Sequence, residues 1–122
     1  MDNSVKIYKD QYQHLPSRFV VKLEQDLQYL LEKNIPGLTK VYLFGSCARG
    51  EVRSTSDLDL AVVTKKKLED RVLAADIRWT LDESVEGVRT DVVYMNEETP
   101  KEPSVFQKLF ERDKKLILEV KP

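Results

Sequence analysis

The sequence has few residues of the types that build disulfide frameworks, zinc sites or membrane spans. Its 122 residues include one cysteine, Cys47, and one histidine, His14, which cannot form a disulfide framework or a Cys/His zinc site. The uncharged stretch from Val41 to Ala48 is far shorter than the ~20 apolar residues of a transmembrane helix, and the first residues contain no apolar signal segment. Any metal chemistry must therefore come from carboxylates, and we expect a cytoplasmic protein.

The chain also has no excess of positive charge. Lys and Arg total 20 against 21 Asp and Glu, so the formal net charge is −1 and the basic footprint of a nucleic-acid-binding protein is missing. Hydrophobic residues make up 41% and charged residues 34%, enough for a core under a charged surface. At ~100–150 residues per domain, we expect one domain and no direct nucleic-acid partner.

Apolar spacing and turn residues predict alternating helices and strands. Residues 1–15 have no sustained period and are predicted to be a loose leader or an added element before a domain at 16–122. Trp79 and Tyr29 are expected in the core. The pattern predicts an α/β or α+β fold in which helices flank a small mixed β-sheet. The expected helices are 17–34, a short one from 46, 65–86 and 104–113, and the expected strands are 41–44, 58–63, 88–94 and 116–120.

Acidic residues interrupt two of the predicted apolar strands. Asp57 and Asp59 stand two apart, so they point to one face of a strand with Cα atoms about 6.6 Å apart, while Leu58 and Leu60 face the core. Asp91 begins the apolar centre of the next strand. Because neighbouring carboxylates repel one another unless a cation or hydrogen-bond donors compensate, this arrangement predicts a metal site.

A glycine and a serine end the strand before the acidic pair. Gly45 lets the backbone approach a phosphate closely, and Ser46 at a helix start can present its hydroxyl and amide together. Arg49 follows one turn later, where it either neutralises phosphate charge or simply pairs with Glu51 or Glu32. Three carboxylates, two divalent ions and a triphosphate form the site required for in-line phosphoryl or nucleotidyl displacement.

These residues together resemble a known signature. The run Leu43-Phe44-Gly45-Ser46, ten intervening residues and Asp57-Leu58-Asp59-Leu60 is similar to the pattern of the DNA polymerase beta-type nucleotidyltransferase superfamily. The fuller string around it resembles the minimal nucleotidyltransferases. The resemblance is strong over residues 41–63 and moderate over 89–94, and it implies a polymerase beta-like fold.

The resemblance implies roles for the phosphate-binding segment. Gly45 and Ser46 would bind the β- and γ-phosphates of a nucleoside triphosphate, and Arg49 and Ser56 would support the phosphates and the turn. Cys47 stands where the common family form has Arg, and we expect it to be a small buried hydrophobe.

The resemblance also implies the metal ligands and the activity. Asp57 and Asp59 would hold two Mg²⁺ ions, and Asp91 would complete the ion nearest the acceptor and help to deprotonate the attacking hydroxyl. The implied reaction transfers AMP from ATP to a hydroxyl and releases pyrophosphate.

The acceptor is left open between three hypotheses. Because 122 residues leave no room for an acceptor domain, the first places the acceptor on a second chain: minimal nucleotidyltransferases pair with small helical HEPN-type ribonuclease toxins and act as antitoxins by adenylylating a tyrosine. The second is a homodimeric adenylyltransferase of a small molecule such as an aminoglycoside. The third is a non-catalytic module that masks a partner.

Overall fold

The fold is a five-stranded mixed sheet with helices on both faces, seen in a computed structural model that describes residues 4–121. The strand order is β1-β5-β2-β3-β4, and β3 and β4 are the parallel pair. The predicted α/β class and the small mixed sheet are confirmed. The strands are β1 Ser4–Ile7, β2 Leu38–Phe44, β3 Leu58–Thr64, β4 Thr90–Asn96 and β5 Lys115–Lys121, and the helices are α1 Ser17–Glu32, α2 Gly45–Ala48, α3 Arg71–Asp82 and α4 Val105–Asp113.

The two faces of the sheet are covered differently because side chains alternate along each strand. On one face, Leu23 and Leu27 of α1 join the fully buried Leu43 and Leu60 in the main hydrophobic core. On the other face, aromatic rings pack edge to face: Phe110 of α4 lies 5.7 Å from Tyr42 and 5.4 Å from Phe44, measured between ring centroids. Asp59 is the register partner of Phe44, so the predicted acidic position of β3 lies on this second face.

The N-terminal segment is an integral part of the sheet. β1 pairs antiparallel with β5, and a 3₁₀ turn at Lys9–Gln11 leads the chain back to the core. Tyr12 is 1% exposed and donates a 3.0 Å hydrogen bond to Glu24 of α1. The expectation of a loose leader is therefore corrected for residues 4–15: Ser4–Ile7 form the edge strand of the sheet, and Tyr12 and Leu15 pack in the core, as the alternative of an added element predicts. Residues 1–3 lie outside the described part.

The third helix is shorter than its apolar spacing predicted. The expected range was 65–86, but α3 begins after Asp70, whose Oδ1 accepts a 3.0 Å hydrogen bond from the N–H of Leu73 and caps the helix. Ile77 and Leu81 are its buried residues, one turn apart on the inner face. Trp79 falls between them on the opposite side and is 82% exposed, so its predicted core position is wrong.

Two smaller expectations concern Tyr29 and membrane insertion. Tyr29 is partly buried and packs against the core, as expected. Over residues 4–121, no helix combines the length and the apolar content that crossing a bilayer requires.

Candidate functional site

The parallel pairing of β3 and β4 brings three predicted carboxylates to one end of the sheet. Asp59 is directly opposite Asp91 in the register, and Asp57 stands two residues before Asp59. Leu58 and Leu60 between and after them are fully buried, so the acidic side chains share the opposite face. Asp57 and Asp91 are exposed and Asp59 is half-buried, an arrangement that leaves the carboxylates accessible to a ligand from solvent.

The electrostatics of Asp59 show that these charges face one another. Burial, followed by the negative charges of Asp91 and then Asp57, raises the pKa of Asp59 to about 6. The positive charge of Arg49 opposes the shift. A carboxylate cluster whose own charges disfavour ionisation gains most from a bound cation.

The donor set fits Mg²⁺ in its chemistry, because hard divalent cations take carboxylate oxygens as ligands. Across residues 4–121, no three His, Cys, Asp or Glu side chains stand as a preassembled ligand shell. What the three carboxylates share is the repulsion that Asp91 and Asp57 exert on Asp59.

Gly45 lies directly against this cluster. Its φ of +76° lies in the left-handed region, and a Cβ at this position would collide with Oδ2 of Asp59 and stand 3.1 Å from its Cγ. Glycine is thus required both by the backbone conformation and by the approach of the carboxylate. Ser46 follows inside α2, whose N-cap is Phe44. The predicted phosphate segment and the predicted metal ligands are therefore in contact.

Cys47 behaves as the sequence predicts. Its side chain is fully buried, and its Sγ donates a 3.4 Å hydrogen bond to the backbone oxygen of Asp57. Burial, followed by the charge of Asp59, raises the pKa of the thiol to about 11. The sulfur is therefore protonated at neutral pH and does not act as a nucleophile.

Arg49 and Ser56 are held by neighbours within the chain. The Arg49 guanidinium donates at 2.7 Å to Asp113 at the end of α4 and at 3.2 Å to Glu51. The expected pairing with Glu51 is thus present, whereas Asp113 was not anticipated. The Ser56 hydroxyl accepts a 2.8 Å hydrogen bond from the N–H of Arg53 and closes a turn before β3.

A buried charged network on the other face of β4 escaped the sequence analysis. Lys22 of α1 is 1% exposed, and its Nζ donates to Asp26, to the Leu81 backbone oxygen at 2.9 Å and to Oγ1 of Thr90 at 2.9 Å. The Thr90 hydroxyl in turn donates to Asp26. Thr90 immediately precedes Asp91, so this network anchors the strand that carries the third carboxylate. The available signal was the placement of Lys22 and Asp26 on the apolar stripe of α1.

Three of the solved structures that resemble the fold illustrate the similarity. A protein from Sulfolobus solfataricus described as a nucleotidyltransferase superposes with a TM-score of 0.54 over 81% of this chain and 78% of its own, at 23% identity, which supports the fold alone. A toxin-antitoxin structure with AMP-PNP has a TM-score of 0.54 at 27% identity, covering 76% of this chain and 70% of the other. A mutant MntA-HpeT toxin-antitoxin structure matches at 25% identity with a TM-score of 0.53 over the same shares.

Sequence comparison agrees with the structural one. The protein adenylyltransferase MntA of Shewanella oneidensis is 37% identical over 68 residues, 53% of this chain, and the matched region spans about half the length (49%) of MntA. The family model of the nucleotidyltransferase domain matches residues 23–117, which include α2, the carboxylate strands and α4. The resemblance inferred from the Gly-Ser and Asp-x-Asp signature is thereby confirmed, and this chain belongs to the nucleotidyltransferase domain family.

Proposed function

We propose that this chain is a Mg²⁺-dependent nucleotidyltransferase that moves AMP from ATP to a tyrosine hydroxyl of a partner protein. In this proposal it is the antitoxin of a small helical HEPN-type ribonuclease toxin. The observation that carries the proposal is that Asp57, Asp59 and Asp91 lie together beside Gly45. Nucleotidyl transfer needs such a combination, because the carboxylates can hold divalent ions and the glycine lets a phosphate approach the backbone.

The proposed roles follow from the order of groups across the sheet. Gly45 and Ser46 at the end of β2 would receive the β- and γ-phosphates, since the glycine leaves the backbone open. Arg49, whose charge already acts on Asp59, would offset phosphate charge, and Ser56 would hold the preceding turn. These groups orient the triphosphate with its leaving pyrophosphate toward β2.

The three carboxylates would complete the site from the β3 and β4 side. Asp57, Asp59 and Asp91 would hold the two Mg²⁺ ions, which when bound neutralise phosphate charge and lower the pKa of the attacking hydroxyl. The hydroxyl oxygen bonds to the α-phosphorus, the bond to pyrophosphate breaks, and a carboxylate oxygen of Asp91 accepts the hydroxyl proton. We place the proton at Asp91 because it is the exposed carboxylate on the outermost strand.

A protein acceptor is supported by what the relatives are called. MntA of Shewanella oneidensis is named a protein adenylyltransferase, and two of the similar solved structures are described as toxin-antitoxin structures, one of them with AMP-PNP. We extend adenylyl transfer, ATP as the substrate and a toxin partner to this chain on that basis.

The test is transfer of radiolabel from α-labelled ATP, with Mg²⁺, to the protein encoded by the adjacent gene. We expect the double variant Asp57→Ala with Asp59→Ala to abolish labelling. The matched control is Glu69→Ala with Glu102→Ala, which removes two exposed carboxylates outside the site and should label at the wild-type rate. Labelling that persists in the double-Asp variant would overturn the mechanism.

The same experiment separates the other two hypotheses. A partner neutralised equally by wild type and by the double-Asp variant would identify a masking module. Labelling of an aminoglycoside by the isolated chain, with no labelling of the partner protein, would identify a small-molecule adenylyltransferase.

A further inference from the structure

The last turn of α4 packs against the predicted phosphate-binding segment, residues 44–49. At the start of this segment, the ring of Phe44 lies 5.4 Å from that of Phe110, measured between centroids. At its end, Nη1 of Arg49 donates a 2.7 Å hydrogen bond to Oδ2 of Asp113, which lies three residues after Phe110. Phe110 and Asp113 are the buried residues of α4, so one face of this helix contacts both ends of the segment.

Asp113 occupies a position that is unfavourable for a carboxylate unless cations surround it. Its side chain is 4% exposed, and it is the last residue of α4, where the helix dipole disfavours negative charge. Two guanidinium groups compensate, because Arg112 donates from Nε to Oδ1 at 2.8 Å and Arg49 donates to Oδ2. The hydrogen bond from Arg112, and then the one from Arg49, lower the pKa of Asp113 although burial opposes them. The carboxylate is therefore ionised at neutral pH and paired with both arginines.

The contact with Asp113 restricts where the Arg49 side chain can lie. The Nε of Arg49 donates at 3.2 Å to Glu51, whose side chain is 65% exposed, so Asp113 is the shorter and better protected of the two contacts. Within residues 4–121, the third guanidinium nitrogen, Nη2, has no hydrogen-bond partner. The guanidinium is therefore held by two of its nitrogens, while the third can donate to a ligand.

Arg49 is held near the carboxylate cluster. Asp59 is the register partner of Phe44, so its side chain lies on the same sheet face as α4. The positive charge of Arg49 lowers the pKa of Asp59, against the larger effects of burial and of the neighbouring carboxylates. A guanidinium at this place is suited to phosphate oxygens, because its donors form a planar fork and its hydrogen bonds to phosphate are charge-assisted.

We propose that Asp113 is a positioning residue of the transfer reaction: it holds the Arg49 guanidinium beside the carboxylate cluster and leaves Nη2 to donate to a β- or γ-phosphate oxygen of the nucleoside triphosphate. The inference rests on the proposed function and deepens it, because it assigns a residue outside the Gly-Ser and Asp-x-Asp motifs to nucleotide binding. Without Asp113, Arg49 keeps only the exposed contact with Glu51. A long side chain freed in this way must lose conformational entropy when the nucleotide binds, which lowers the affinity.

The experiment measures the binding of AMP-PNP with Mg²⁺ to the full chain by isothermal titration calorimetry. Asp113→Asn keeps the shape of the side chain and removes its charge, and we expect it to raise the Kd about five- to tenfold. Glu111→Gln is the matched control, because it removes a carboxylate of the same helix turn that pairs with Lys101 and Lys114, and it should bind as wild type does. AMP, which has no β- and γ-phosphates, should bind equally to wild type and to Asp113→Asn.

A double-variant cycle tests whether Asp113 acts through Arg49. Arg49→Met should raise the Kd for AMP-PNP at least as much as Asp113→Asn does. Adding Asp113→Asn to Arg49→Met should then change the Kd by less than about twofold, since the side chain that Asp113 holds is already gone. The melting temperature of each variant without nucleotide reports separately on folding. If Asp113→Asn does not fold, Arg112→Gln combined with Asp113→Asn, which removes one charge of each sign, takes its place in the cycle.

Each contrary result has a distinct meaning. An unchanged Kd in folded Asp113→Asn, or additive effects of the Asp113 and Arg49 substitutions, would overturn the proposal and leave Asp113 as an ion pair that only joins α4 to α2. Equal weakening of AMP and AMP-PNP binding would also overturn it, because the loss would then not arise at the β- and γ-phosphates. Coupling between Asp113 and Arg49 in a chain that transfers nothing to the partner protein would overturn the proposed function alone. A wild-type chain that does not bind AMP-PNP would overturn both.

Discussion

Two sets of charged residues lie on opposite faces of the same end of the sheet, and they are stabilised in opposite ways. Lys22, Asp26 and Thr90 form a closed buried network in which all three ammonium donors have acceptors. Asp59 and Asp91, on the other face, repel one another, and burial together with this repulsion raises the pKa of Asp59 to about 6. The difference separates charge that supports the fold from charge that is left available to a ligand.

The two sets are joined through consecutive residues of β4. Thr90 points into the network and Asp91 into the cluster, because neighbouring side chains on a strand alternate between faces. Throughout residues 4–121, every buried side-chain nitrogen or oxygen has a hydrogen-bond partner. The repelling carboxylates lack such compensation, and perturbed ionisable groups of this kind are frequent at functional sites.

The largest effect should come from breaking the closed network. Lys22→Met leaves Asp26 buried without its cation, and we expect the free energy of unfolding to fall by about 3–5 kcal/mol in urea denaturation. Lys22→Met combined with Asp26→Leu removes both charges and should recover most of the loss. A single variant as stable as wild type would contradict the view of this network as a structural anchor.

A smaller loss of stability is expected at the contact between Asp59 and Gly45 of the predicted phosphate-binding segment. Gly45→Ala places a Cβ against Asp59 in a left-handed backbone conformation, and we expect a loss of about 2–4 kcal/mol together with loss of transfer. Gly50→Ala is the control, since Gly50 has a similar φ of +77° but no heavy atom within 4 Å of the added Cβ. Equal stability of the two variants in thermal unfolding would argue against a close Gly45–Asp59 approach.

Removing a charge from the carboxylate cluster should raise the free energy of unfolding, whereas the two preceding changes lower it. Asp59→Asn relieves the repulsion and the cost of burying the charge, so at pH 7.5 we expect about 1–2 kcal/mol of added stability and complete loss of transfer. Added Mg²⁺ should stabilise wild type more than the variant, and chelation should reverse that gain. A destabilised Asp59→Asn would place this carboxylate among the structural charges.

The smallest effect is the pH dependence of that stability difference. Because the folded-state pKa of Asp59, about 6, lies above its ordinary value of 3.8, the folded state binds the proton more tightly than the unfolded state. The loss of folding stability that the charge of Asp59 causes is absent below its ordinary pKa of 3.8 and complete above its folded-state pKa of about 6. The advantage of Asp59→Asn over wild type should therefore shrink by about 1 kcal/mol as the pH is lowered from 7 to 4. A constant difference across this range would mean that Asp59 titrates normally.

Local patterns predicted the parts of the site that depend on short-range geometry. Asp59 lies on β3 and Gly45 directly follows the preceding strand, as expected, whereas Asp57 stands just before the first residue of β3. The burial of Leu58, Leu60 and Cys47 is also confirmed. These predictions succeed because strand alternation and glycine conformation are properties of a few consecutive residues.

Features that depend on distant residues were missed or mistaken. Trp79 matched a helical stripe in sequence, but Ile77 and Leu81 are the residues that face the core. The N-terminal segment shows no helical or strand periodicity in its sequence, yet β1 joins the sheet by pairing with β5, more than a hundred residues later in the chain. The Arg49 partner Asp113 is equally remote in sequence.

The family, the acidic pair, the glycine beside it and the alternation of helices with strands could all be predicted from the amino-acid sequence, since each is encoded in short spacings. Strand pairing and helix packing, by contrast, set the register that brings Asp59 opposite Asp91, the pairing of Lys22 with Asp26 and the exposure of Trp79. The physical reason is that strand pairing and helix packing decide which charged residues, distant in sequence, become neighbours and how deeply they are buried. Burial and neighbouring charge then decide whether a charged group stabilises the fold or is left available to a ligand.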